Sequence, residues 1–168
     1  MESKFKRLKL ACFSSSLSMS VVGNLSPVLF VTFRSMYGIS YSLLGLLVLI
    51  NFSTQLGIDL IFSFFSHKFN IPKVVKGMPM ITVLGLVIYA VWPFFFPNAV
   101  YVGLVLGTVL FSVAAGLGEV LISPVIAAIP AKDPDREMSK LHSVYAWGVV
   151  AVIIVSTVFL LFAGSHNW

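Results

Sequence analysis

Charge is what this sequence has least of. Asp, Glu, Lys and Arg make up 10% of its 168 residues, against roughly 25% in water-soluble domains. Hydrophobic residues reach 58% and the mean hydropathy is +1.00. That balance excludes an ordinary soluble domain, and the length suits about five membrane spans of roughly 20 residues each. Cysteine is almost missing. Cys12 stands alone, which excludes an internal disulfide and any cysteine-rich metal site; within an apolar segment it reads as a small buried hydrophobe. His67, His142 and His166 are far apart and lack ligand spacing, so neither a metal nor another cofactor is expected. Nucleophile-elbow, P-loop and HExxH patterns are missing too, and with them the usual grounds for expecting an enzyme. The net charge of +5 is split into three short basic clusters between apolar runs. No basic stripe interleaved with aromatics exists to meet nucleic acid, and the expected partner is the lipid bilayer.

What the chain does have is a succession of long apolar runs. After the basic lead-in of Lys4, Lys6, Arg7 and Lys9, no charge interrupts Leu10 to Phe33. That run is too long for the 7–15-residue apolar region of a signal peptide and predicts a first span over about 8–34. Ser16, Ser20 and Asn24 give it a polar edge, and Pro27 can kink it by removing a backbone bond. A second span is expected over 41–66, after a short turn containing Gly38. Asn70 and Pro72 read as breakers in the basic turn that follows. From Gly77 to Gly118 there are 42 uncharged residues, too many for one span. Pro93, Pro97 and Asn98 divide them into helices over 76–95 and 99–129, with Trp92 and Tyr101 flanking the break as interfacial aromatics do. Gly103 and Gly107 form a GxxxG pair in the fourth span, followed by Ser112, Gly116, Glu119 and Ser123. Small residues at such spacing let helices approach closely. The hydrophilic stretch Ala131–Lys140 offers Asp133 before Pro134 as a helix start, and a fifth span is expected over 138–162. The expectation is therefore an all-α polytopic membrane domain over residues 1–168. Ten of the eleven Lys and Arg residues fall on the N-terminus and the second-to-third and fourth-to-fifth turns, leaving only Arg34 opposite. This bias predicts a multi-pass protein of the cell membrane with a cytoplasmic N-terminus and Trp168 outside.

Polar residues inside these runs are the candidates for function. Asn51, Gln55, Asp59, Ser63 and His67 recur at every fourth position and make one slowly drifting stripe on the second span, closed by a basic turn with Lys68, Lys73 and Lys76. Asp59 and Glu119 are carboxylates within the membrane. Glu119 precedes Lys132 by 13 residues, about 20 Å along a helix, and so lies near mid-membrane. A charge there costs at least a few kcal/mol, so the side chain should face a cavity, pair with a cation or carry a proton. The functional reading makes each a proton- or substrate-binding carboxylate, with Glu119 the working acid and Asp59 its support; the structural reading makes both hydrogen-bonding acids between helices. Asn24, Asn51, Gln55, Ser123, His142 and Tyr145 complete an expected solute cavity. The same residues also suit interhelical contacts, and His142 suits packing at an interface as well as a proton relay. Trp147 with Gly148 suits either a sugar-stacking wall or a lipid-facing surface.

The spans, the small residues of the fourth and the basic turn resemble the amino-terminal half of a major facilitator superfamily transporter. The family pattern of that turn is close to G-x-x-x-D-[RK]-x-G-[RK]-[RK]. Here His67 stands where the family has Asp and Asn70 where it has Gly, while Lys68 and Lys73 keep basic positions. The resemblance implies that His67, Lys68, Asn70 and Lys73 form a cytoplasmic gate loop, without the family's acid at position 67. GLGEVLISPVIAAIP followed by KLHSVYAWG is similar to the fourth and fifth helices of the fucose–proton symporter-like branch, and implies that Glu119 couples protons to a sugar. Family members hold their substrate between two six-helix halves, which here implies a small polar solute such as a sugar. The resemblance thus implies a further carboxy-terminal half or a partner chain, with five helices of one bundle present here. A membrane scaffold or subunit that does not itself transport is the alternative expectation.

Overall fold

The computed structural model describes residues 2–163, with side chains from Phe5 to Phe162 except Pro72. The described residues are helical throughout apart from short turns: α1 (Glu2–Val28), α2 (Phe30–Tyr37), α3 (Tyr41–Phe65), α4 (Ile71–Phe95), α5 (Val100–Ala128) and α6 (Pro134–Ala163). Four helices are long and apolar enough to cross a membrane, and α1 with α2 makes a fifth if the bent pair is one span. The outer C-terminus expected at Trp168 lies outside the described residues.

Helix boundaries differ from expectation where a presumed breaker starts a helix. The first span is two helices bent by 40°. Pro27 lacks the N–H that would bind the Gly23 carbonyl, the chain breaks at Leu29, and α2 carries on to Tyr37 instead of stopping near residue 34. Gly38 then ends α2 with φ 65°, a left-handed cap that suits glycine. The third span begins at Ile71, not near 76, because Asn70 caps it: its side-chain oxygen accepts from Lys73 N at 3.2 Å. Pro72 falls in the first turn, where its missing N–H costs nothing. Likewise α6 begins at Pro134, not near 138, with Asp133 Oδ1 accepting from Arg136 N at 3.0 Å. Turn chemistry, not hydropathy, sets these ends.

The bundle is organised around α5. About 61% of its most apolar window is buried, against 11% for α3, α4 and α6. Its glycines make this possible. A Cβ on Gly107 would sit 2.8 Å from the Gly85 carbonyl oxygen of α4, and one on Gly103 would strike the Trp92 ring. Gly116 meets the α3 backbone at Gln55, and Gly118 meets Met19 of α1. Neighbouring residues fix the directions of the helices. Tyr101 reaches the Leu43 carbonyl, Ser112 reaches Asn51 and Gly116 meets Gln55, so α3 and α5 run parallel. Lys9 pairs with Glu137 and Ser20 meets Gly148, so α1 and α6 also run parallel. Helix α4 runs against α5. Lys6 and Lys9 therefore share one end of the bundle with the α3–α4 and α5–α6 turns, and Arg34 lies at the other, stacked on Tyr41 at 3.9 Å.

Two apolar clusters hold the ends. Leu29, Phe33, Leu44, Leu47, Tyr89, Leu104 and Phe111 fill the end near Arg34, where the Tyr89 hydroxyl hydrogen-bonds Ser26 Oγ at 2.8 Å. Cys12, Ile126, Ile129 and Leu141 fill the basic end. The outer faces stay apolar: Leu49, Phe52, Phe94, Ile154 and Phe162 are all exposed. In water such a surface would aggregate; in lipid it is the solvated side.

Candidate functional site: a carboxylate cleft between α1, α5 and α6

Between the two clusters, α1, α5 and α6 enclose a cleft of about 220 Å³. Glu119, Ile122 and Ser123 of α5 line one wall; Leu141, His142 and Tyr145 of α6 form another, and Ser16 and Met19 of α1 a third. Local sequence explains the opening. Gly118 packs its bare Cα against Met19, so the next residue turns outward, and Glu119 is exposed at the cleft while Gly118 is buried. Pro124 lies within α5. It cannot donate to the Val120 carbonyl four residues back, one residue beyond Glu119.

Charged and polar groups converge on Glu119 from three helices. It lies within electrostatic range of Asp59 on α3 and of His142 on α6. Tyr145 lies within electrostatic range of Glu119 and near the Asn24 side chain of α1; the Asn24 amide donates to the Ser20 carbonyl at 2.8 Å. Among the described residues, no donor reaches the buried Asp59 Oδ1. A second acid within electrostatic range, in a medium of low polarity, is unfavourable when both are charged. With a neighbouring histidine and tyrosine, the cluster has the components of a proton-binding site.

Of the residues proposed from sequence, the structure brings Glu119, Ser123, His142 and Tyr145 to one cleft, with Asn24 and Asp59 at its edges. It does not bring Asn51 and Gln55 there. Their stripe is spent on a helix contact: Gln55 Nε2 donates to Asn51 Oδ1 at 2.9 Å, and that oxygen also accepts from Ser112 Oγ of α5. The first bond lies within α3 and orients Asn51; the second ties α3 to α5. A double-mutant cycle of Asn51→Ala with Ser112→Ala should give a coupling of about 0.6 kcal/mol, the usual size for such bonds in lipid; unfolding in detergent micelles measures it. Trp147 is 70% exposed and lies apart from the cleft, while Gly148 packs on Ser20 and Leu17. His67 and Lys68 form an exposed turn after α3, and Asn70 and Lys73 join at the cap of α4. The hydrophobic lining of Met19, Ile122 and Leu141 was not anticipated. These residues carry no mark that separates cavity lining from lipid-facing surface.

No protein-family model, curated protein or solved structure matches this chain.

Proposed function

We propose that this chain is a bundle of a proton-coupled secondary transporter for a small polar solute, with sugars as the favoured class and Glu119 as the coupling acid. The observation that carries this is the position of Glu119. It stands in a small cleft with His142 and Tyr145, and Asp59 lies within electrostatic range. A purely structural acid would be closed off by donors from its neighbours, whereas this one is exposed. Ser16, Ser123 and Asn24 offer hydroxyl and amide groups suited to a polyhydroxylated solute. The cytoplasmic placement of the basic end, and a second bundle opposite the cleft in the same or another chain, belong to the same proposal. They follow from the charge bias and from the resemblance to major facilitator transporters.

The test is proton entry driven by solute. De-energised cells expressing the protein, suspended in weak buffer, receive a panel of hexoses, deoxyhexoses and polyols in turn. At least one should make the medium more alkaline than it becomes with cells lacking the protein. Uptake of a panel member with no accompanying proton movement would reject the coupling, and no response to any would reject the solute class.

A further inference from the structure

A second cavity lies at the basic end of the bundle, where the start of α1 meets the α5–α6 turn. It is larger than the carboxylate cleft, at about 450 Å³. Four cations border it, Lys6, Lys9, Lys132 and Arg136, against two carboxylates, Asp133 and Glu137. Glu137 is already occupied, by Lys9 at 3.0 Å and Lys140 at 2.9 Å. Asp133 is engaged as the cap of α6. Among the described residues, no carboxylate lies within ion-pair distance of Lys6, Lys132 or Arg136. Phe5, Ile129 and Pro130 add apolar lining.

We propose that this cavity binds the phosphate headgroup of an anionic phospholipid. Three unpaired cations in one cavity with apolar side chains match a molecule that is anionic at one end and aliphatic at the other; a free phosphate would use the cations and leave the apolar lining unmatched. The location agrees, because basic pockets between helices at the membrane surface attract anionic headgroups, at roughly 1 kcal/mol per cation. Arg136 supplies a planar donor fork that suits phosphate oxygens, and the lysines supply point charges. Lys6 lies on α1 and Arg136 on α6, so the bound lipid bridges the two helices at this end. The proposal does not depend on solute transport.

The full chain, purified in detergent with equal amounts of phosphatidylglycerol and phosphatidylcholine, tests it by native mass spectrometry of retained lipid. Phosphatidylglycerol should be retained over phosphatidylcholine. Lys6→Gln combined with Lys132→Gln and Arg136→Gln should weaken that retention by about a hundredfold, at roughly fivefold per cation. Lys6→Gln alone should weaken it about fivefold by the same reckoning, which keeps the test open if the triple variant fails to fold. Lys68→Gln with Lys73→Gln and Lys76→Gln removes the same charge at the other basic turn and should leave retention unchanged. Equal retention of the two lipids, equal loss in that control, or displacement of the lipid by millimolar inorganic phosphate would each overturn the proposal.

Discussion

Gly107→Leu should leave the protein without a stable bundle. The bare Cα of Gly107 lets α5 approach α4 so closely that a single added Cβ would lie 2.8 Å from the Gly85 carbonyl oxygen and 2.8 Å from Tyr89 Cβ. The first is backbone and cannot rotate away. The second belongs to a side chain locked between Phe33 and Phe111, at ring distances of 5.6 and 5.7 Å, and hydrogen-bonded to Ser26. Accommodating a leucine means moving one helix off the other and opening the cluster that closes the Arg34 end. Overpacking of a tight core costs roughly 1–3 kcal/mol, more where nothing can yield, so the loss should be about 3 kcal/mol or greater. That is at least about a hundredfold in the folded-to-unfolded ratio. Intrinsic fluorescence should follow it, because Trp92 packs on Gly103 one turn away. Gly57→Ala is the contrast. An added Cβ there meets nothing within 4 Å, and replacing glycine in mid-helix gains up to about 1 kcal/mol. The bundle should tolerate it.

The second large effect concerns the cleft. In Glu119→Gln, the side chain keeps its shape but can neither release nor take up a proton. Solute accumulation driven by a pH gradient should then disappear. One proton carried per solute supplies about 1.4 kcal/mol per pH unit, or about tenfold accumulation, and the variant should level off at no accumulation. Exchange of solute across the membrane at equal pH should continue, since glutamine resembles the protonated acid. That split separates a coupling role from a structural one, because misfolding would abolish both activities.

The sequence made the five apolar runs, the kink at Pro27 and the close approach at Gly103 and Gly107 legible. Each rests on a strong local rule: the length of a hydrophobic run, a missing N–H, a missing side chain. It did not reveal that α5 is the central helix, since helices apolar on every side carry little directional signal. Nor did it separate Asn51, which binds α3 to α5, and Gln55, which bonds Asn51, from Ser123, which lines the cleft. A polar group in lipid must be satisfied wherever it faces, and a neighbouring helix serves as well as a cavity. Glu119 was legible as a candidate from its depth alone. Its company of Asp59 from α3 and of His142 and Tyr145 from α6 emerges only once α3, α5 and α6 are placed together. Asn70 and Pro72 show the opposite limit, where one local signal permits either a break or a start.

The central claim is that Glu119 couples proton movement to solute movement across the bundle. Proton entry driven by an outward-to-inward solute gradient, compared between the native protein and Glu119→Gln at matched surface abundance, tests it most directly. The native protein should make the medium alkaline when solute is added, and the variant should give only the background of cells without the protein. Alkalinisation by the variant equal to that of the native protein would contradict the account.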